Sequence, residues 1–448
     1  MLKRALVFLL LSLPAYAEPR HLTILHFNDF HGHLEQASRI AAKINEIKIE
    51  NSKKGYITLV FNGGDLISGT PASAQFKGKA EVDFLNAIHT DSFVIGNHDF
   101  DFNKEGIGQF KHSFPILGAN IYIKEGGALF ADPSAILSPA DSLKIGVIGL
   151  THPQTPALAS PKNVAQLRFG KPIPIAKKLM KDLNKKTDVQ IALTHEGVLN
   201  DIALAKAVKG LDAVVGGHDH IKANEYCRTV KQIPVCQTPS YGTFLGRIDL
   251  EIDGTKVKET SHELIAIDDK AKEDHEVALL MKPYLSAVGS EMKKVVGVAT
   301  EDITHERSNQ TTKLGALITK SMKDYVNADF GMTNTGGIRR PLKKGNITRG
   351  DIEEVLPFPN TVLKVAMTGK EIDLLFKEAK KLGKVLQLSG IKPEDKLDPK
   401  KEYTIATIDF LTNGGDGYTL FKKARVVENS GKYIKEIFTD YIRRMKKI

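Results

Sequence analysis

The chain has 448 residues, too many for one ordinary core, and its 42% hydrophobic and 26% charged residues are the composition of a globular protein. After the first twenty residues no stretch is apolar and long enough to span a membrane. The net charge of +10 suits an anionic substrate, yet the lysines are scattered, there is no Trp and aromatics make up 7%. No basic stripe interleaved with aromatic residues points to a nucleic-acid polymer as partner.

Residues 1–17 read as a secretory signal: Lys3 and Arg4 form the positive start, Ala5 to Leu13 the apolar run, and Ala15-Tyr16-Ala17 a small-x-small cleavage site. Cleavage would leave a net charge of +8, since the removed segment holds two basic residues and no acid. No Cys lies near the cleavage point, and the basic end, Arg443 to Ile448, has no apolar tail, so no membrane anchor is expected. Export across the inner membrane, to the periplasm or beyond the cell, is the expectation. Cys227 and Cys236 are then expected to form one local disulfide.

From His21 to about residue 266, short apolar runs alternate with polar loops rich in Gly, Asp, Asn and His. Leu22 to Phe27, Ile57 to Phe61, Phe93 to Ile95, Ile145 to Ile148, Val189 to Leu193 and Ala213 to Val215 read as buried strands. Ser38 to Ile47 and Pro174 to Leu183 carry helical spacing, with Ile40, Ile44 and Ile47 on one face. Alternation of this kind predicts an α/β domain. Residues 267–293 open on a charged run and continue with helical periodicity, and are expected to form a helical linker. A second α/β domain is expected over 294–448. Its strands are Phe330 to Thr333, Val362 to Met367 and Tyr403 to Ile408, and its helices Leu314 to Tyr325 and Gly369 to Leu382.

The chemistry sits directly after the strands of the first domain. The first run is followed by Asn28-Asp29-Phe30-His31, the second by Gly63-Gly64-Asp65, and the third by Gly96-Asn97-His98-Asp99-Phe100-Asp101. The fifth ends in His195 and the sixth in Gly217-His218-Asp219-His220. Carboxyl ends of strands are where loops converge on a ligand in open α/β sheets. Imidazoles with carboxylates are the donor set of a dinuclear metal centre, in which one carboxylate can bridge both ions. Asp29, His31, Asp65, Asn97, His195, His218 and His220 are the candidate ligands. Asn97 offers a neutral oxygen, which limits the negative charge that an incoming phosphate must meet. His98, beside Asn97, is placed to stabilise charge on a phosphoryl or leaving-group oxygen, and Asp101 to orient it. Asp101 also has a lesser reading as a helix cap. A zincin-type protease is excluded, because the residue four positions after His195 is Leu199.

These five blocks, in this order, resemble the calcineurin-like metallophosphoesterases. The resemblance implies one ion held by Asp29, His31, Asp65 and His220, and a second held by Asp65, Asn97, His195 and His218, with Asp65 bridging. It also supports the pairing of His98 with Asp101. Metal identity stays open among Zn, Mn, Co and Fe.

The second domain carries three loop motifs: Asn334-Thr335-Gly336-Gly337-Ile338-Arg339, Leu356-Pro357-Phe358-Pro359-Asn360, and Phe410 to Tyr418 with its Gly-Gly-Asp-Gly centre at 414–417. An arginine can hold a phosphate bidentately, and Phe residues on polar loops suit stacking on a planar base. Asp416 can accept hydrogen bonds from ribose hydroxyls, although an aromatic beside Pro and a Gly-Gly-Asp-Gly run also serve as core and turn. Together the three resemble the 5′-nucleotidase C-terminal domain. That resemblance implies a base held between Phe358 and Phe410, ribose on Asp416, base or sugar contacts from Asn334 and Asn360, and phosphate on Arg339. Arg307 is its expected second phosphate contact, in a segment that departs from the family pattern at Thr312-Lys313.

The expectation is therefore a four-layer α/β/β/α phosphoesterase domain with a smaller α/β recognition domain. Its reaction is metal-dependent hydrolysis of a nucleoside 5′-monophosphate, with no obligate protein partner evident. The competing readings are a 2′,3′-cyclic phosphodiesterase with 3′-nucleotidase activity, a nucleotide-sugar or dinucleotide pyrophosphatase, and an exported nucleotide-binding protein.

Overall fold

The computed structural model describes residues 20–140, 143–159, 161–254, 256–305 and 310–448. The expected signal over residues 1–17 and the candidate phosphate contact Arg307 lie outside the described residues.

Two six-stranded sheets form the first half. One is ordered Lys256–Ala266, Phe244–Asp253, Arg20–Phe27, Ile57–Asn62, Ser92–Val94, Ile116–Leu117. The other is ordered Cys227–Val230, Ile233–Cys236, Ala213–Val215, Val189–His195, Leu143–Thr151, Ser134–Ala140. Alternation along each strand dictates how they stack, because successive side chains point to opposite faces. Leu22 and Ile24 meet Ile191, Leu193 and Val215 in a core shared by both sheets. Leu25 and Phe27 turn outward against Ile40, Ile44 and Ile47 of helix Ala37–Lys53. On the far side Ile148, Ala192 and Val214 pack against Ala176, Met180 and Leu183 of helix Pro172–Leu183. The order is helix, sheet, sheet, helix, the four layers expected.

The sheets differ from the expectation at their edges. Inner strands such as Val189–His195 are buried along their whole length and read as apolar runs. Phe244–Asp253, in contrast, pairs antiparallel with both Arg20–Phe27 and Lys256–Ala266 and alternates buried with half-exposed residues. Sequence periodicity of that kind is weak beside the neighbouring apolar runs, and it does not announce this hairpin. Cys227 and Cys236 face each other across the second edge hairpin and are joined by a disulfide, with Cα atoms 4.2 Å apart.

Helix His275–Met292 buries Val277, Met281 and Val288 against the first core, beside Ile40 and Ile44. The second half is built on a five-stranded sheet ordered Leu386–Ser389, Phe330–Asn334, Glu402–Ile408, Thr361–Thr368, Arg425–Tyr433. Its helices start where the sequence signals a cap. Thr312 accepts from Gly315 N before helix Lys313–Tyr325, and Thr368 forms a capping box with Glu371 before Gly369–Lys381. One separate core, including Leu314, Ile318, Val365, Ile405 and Phe438, holds this half together.

Candidate active site

The loops after five inner strands converge at one end of the paired sheets. Asp29 N donates to Gly64 O at 2.9 Å and His31 N to Asp65 O at 3.1 Å, which ties the first loop to the second. Asp29, His31, Asp65, His218 and His220 all have left-handed backbone, with φ of 50°, 49°, 51°, 99° and 49°. Such conformations cost about 1–3 kcal/mol each in non-glycine residues and persist where the surroundings over-determine them. Close crossing of the loops also requires glycine. A Cβ on Gly96 would lie 2.2 Å from Asp65 Oδ1, and one on Gly64, at φ +85°, 2.7 Å from His195 Nδ1.

The polar atoms fall into two groups, Asp29 with His31 and His220, and Asp65 with His195 and His218. Asp29 Oδ1 lies 3.2 Å from His220 Nε2 and 3.9 Å from His31 Nε2. Asp65 Oδ2 lies 3.2 Å from His195 Nε2 and 3.9 Å from His31 Nε2, so it reaches toward both groups. Asn97 Oδ1 is 3.0 Å from His218 Nδ1 and joins the second.

Several ring nitrogens are fixed from behind. His31 Nδ1 donates to Ser68 O at 2.9 Å and His195 Nδ1 to Gly63 O at 2.7 Å, which turns both Nε2 atoms into the site. His195 Nε2 and Asp29 Oδ1 are buried and have no hydrogen-bond partner. His31 Nε2 and His220 Nε2 face one another at 3.1 Å. Buried, unsatisfied nitrogen and oxygen lone pairs converging on two points fit a pair of divalent cations, the donor chemistry such ions require.

Burial acts on these groups in opposite ways. It pushes His218 down to about 3, aided by the neighbouring His195, and holds His31 well below the ordinary value, so both rings offer lone pairs. Burial also opposes charge on His195, but Asp65 at 3.2 Å outweighs it and raises that ring to about 10, so a cation bound there would take the place of the Nε2 proton. Burial would raise the Asp29 carboxyl, yet His220 holds it below the usual carboxylate range.

His98 Nδ1 lies 2.8 Å from Asp101 Oδ2, and the carboxylate, as acceptor, fixes the proton on Nδ1. Asp101 is 5% exposed. Burial disfavours charge on His98, but Asp101 and Asp65 override it and raise its pKa.

A cavity of about 480 Å³ brings the two halves together. Asp65, Asn97, His98, Asp101, His218 and His220 line one side, and Asn334, Arg339, Phe358, Asn360, Phe410 and Asp416 the other. The Phe358 ring stacks on His98, with centroids 5.1 Å apart and planes at 15°, and the Arg339 guanidinium sits 5.8 Å from the Phe358 centroid. Phe410 lies so close over Gly415 that a Cβ there would be 2.4 Å from the ring. Asn334 Nδ2 donates to Asp416 Oδ2 at 2.6 Å.

Three neighbours of the site have roles that the sequence does not mark. Asp99 accepts from the backbone of Gly96, Asp65 and Leu66 at 2.7, 3.0 and 2.9 Å, and so pins two of the loops. Tyr241 donates its backbone N–H to Asp29 O at 2.8 Å and walls off His31 and His220. Lys384 reaches Asp416 Oδ1 at 2.9 Å. Asp99 stands inside a motif with ligand-type neighbours, but nothing in the sequence marks it as a loop anchor.

Two neighbouring acid-and-imidazole groups, at the carboxyl ends of a four-layer sandwich, are the arrangement of a metal-dependent phosphoesterase. Residues 22–222 match the calcineurin-like phosphoesterase family, and residues 295–394 match the 5′-nucleotidase C-terminal domain. The chain belongs to the metallophosphoesterases that carry this C-terminal domain, the 5′-nucleotidase family. It is 28% identical to protein UshA of Escherichia coli (strain K12), covering 94% of this chain and 91% of that protein. It is 29% identical to the trifunctional nucleotide phosphoesterase protein YfkN of Bacillus subtilis (strain 168), over 95% of this chain but only 34% of that much longer relative. Among solved structures, the 5′-nucleotidase precursor from Thermus thermophilus superposes with a TM-score of 0.83 at 25% identity, covering 96% of this chain and 97% of that one. Among the described residues no helix is long and apolar enough to cross a membrane.

Proposed function

We propose that the chain hydrolyses nucleoside 5′-monophosphates to nucleoside and phosphate, with two divalent cations, as an exported enzyme. The observation that carries this reading is the shared cavity in which Asp65 and His218 of one acid-and-imidazole group and His220 of the other face Phe358, Phe410 and Asp416. A metal centre alone would serve any phosphoester; the aromatic and acidic wall opposite it suits a nucleoside.

In this reading Asp29, His31, Asp65 and His220 hold one cation and Asp65, Asn97, His195 and His218 the other. When bound, the pair supplies charge neutralisation for the phosphoryl oxygens and activation of the attacking water. The chain's own residues do the rest. Arg339 draws the phosphate toward the centre with a fixed fork of donors. His98, its Nδ1 proton held by Asp101, presents Nε2–H to a phosphoryl or leaving oxygen. The P–O5′ bond breaks as water oxygen bonds to phosphorus, and the ribose oxygen leaves with a proton. Phe410 and Phe358 hold the base, Asp416 the ribose, and Asn334 and Asn360 the remaining polar edge. Residues 18–266 would carry the chemistry and 294–448 recognition, with 267–293 joining them.

Phosphate release from a panel of nucleoside 5′-, 3′- and 2′,3′-cyclic phosphates, with Mn²⁺, Zn²⁺ and Co²⁺ in turn, tests the proposal. Preference for 5′-monophosphates is expected. Faster turnover of cyclic or 3′ substrates would overturn the bond assignment, and no turnover with any metal would overturn the activity.

A further inference from the structure

The cavity wall opposite the metal groups is braced by a lysine that has no part in the proposed reaction. It acts on Asp416, which sits in left-handed backbone, φ 57°, between two glycines, with its side chain in the cavity lining. Each carboxylate oxygen has its own donor: Lys384 Nζ at 2.9 Å on Oδ1 and Asn334 Nδ2 at 2.6 Å on Oδ2. A carboxylate accepts only, so Asp416 fixes which way the Asn334 amide faces. The Asn334 carbonyl oxygen is then left buried with no hydrogen-bond partner, in a residue that lines the same cavity.

Lys384 controls this chain of consequences. Its side chain is 38% exposed and that of Asp416 17%, so the pair lies at the cavity mouth and is only partly screened by solvent. Without the ammonium, Asp416 keeps one tether instead of two. Its uncompensated charge then faces an anionic substrate.

We propose that Lys384 is a positioning and specificity-determining residue: by holding one oxygen of Asp416 while Asn334 holds the other, it presents the remaining lone pairs of that carboxylate to the vicinal hydroxyls of a ribose. This rests on the nucleotide reading above and adds to it a basis for preferring ribose over sugars lacking that diol. Each Asp416 oxygen keeps a free lone pair once its structural bond is counted, which matches two O–H donors and no charged partner. The ammonium offsets the carboxylate without itself competing for hydroxyl donors.

The experiment compares Lys384→Met and Lys384→Arg with the parent enzyme on adenosine 5′-monophosphate and its 2′,3′-dideoxy analogue. Lys384→Met should raise KM for the ribonucleotide about tenfold, the scale of one partly exposed charged hydrogen bond. The loss should appear in KM far more than in kcat. On the dideoxy substrate, which offers no diol, the same change should raise KM less than about threefold, and Lys384→Arg should recover most of the ribonucleotide affinity. Equal losses on both substrates, a loss in kcat alone, or KM unchanged on the ribonucleotide would each overturn the assignment. A parent enzyme that turns over p-nitrophenyl phosphate but neither nucleotide would instead overturn the nucleotide reading, and this proposal with it.

Discussion

Replacement of Asp101 by alanine isolates the part of catalysis that belongs to protein side chains. The Nδ1–Oδ2 contact of 2.8 Å joins an imidazole of raised pKa to a carboxylate that is 5% exposed, so solvent screens it little. A hydrogen bond to a charged group is worth about 1.5–3 kcal/mol, which converts to a loss of roughly 10- to 150-fold in kcat if it acts only when His98 engages the transition state. Asp101→Asn keeps an acceptor but removes the charge, and should fall between parent and alanine variant. His98→Ala sets the limit, about 10²- to 10⁴-fold. Because Asp101 is argued to work through His98, the double variant should be no slower than His98→Ala alone, a coupling that independent residues would not show. Steady-state hydrolysis of a nucleoside 5′-monophosphate at saturating metal gives these rates, and elemental analysis should find both metals in every variant. Additive losses, a deficit below about threefold in Asp101→Ala, or a lost metal would refute the dyad.

Three further outcomes test other parts of the site. Asp65→Asn should reduce bound metal at both positions and cost more activity than His31→Ala, since Asp65 Oδ2 reaches both groups; elemental analysis with kcat/KM decides, and loss of one ion only would remove the bridge. Gly64→Ala places a methyl 2.7 Å from His195 Nδ1 at φ +85°, and should cost at least about 1 kcal/mol of stability with weakened metal affinity, read by denaturant titration and metal competition. Phe410→Ala should lose about 1–3 kcal/mol in kcat/KM on nucleoside monophosphates beyond any loss on p-nitrophenyl phosphate. Equal loss on both would make the ring a core residue.

The site was legible where chemistry is tied to position along a strand. Ligand-type residues follow five of the six apolar runs, so Asp29, Asp65, Asn97, His195 and His218 stand out from pattern alone. The left-handed backbone of Asp29, Asp65 and His218 does not, since a single Asp or His marks positive φ far more weakly than glycine does. The edge hairpins were missed because half-exposed alternation is a weaker signal than a buried run. Lys384 was invisible for a different reason: one lysine among 63 basic residues acquires meaning only when folding brings it to Asp416, 32 positions away. Phe358 was read from its loop as a clamp residue; its stacking on His98 depends on how the two halves meet, which no local pattern encodes.

The first strand, Arg20–Phe27, lies between Ile57–Asn62 and Phe244–Asp253, pairing Arg20 with Ile252. During synthesis, one flank of the strand that delivers Asp29 and His31 therefore waits for a neighbour more than two hundred residues downstream. Until that neighbour is available, the strand keeps an open row of N–H and C=O groups, the template on which chains mispair with one another. Long-range pairing of this kind also slows folding, because loop closure precedes the contacts that reward it. Truncated chains ending before residue 244 should be caught as aggregates rather than as metal-binding fragments. Asp29 and His31 are therefore held in place on both flanks only once that late neighbour completes the sheet.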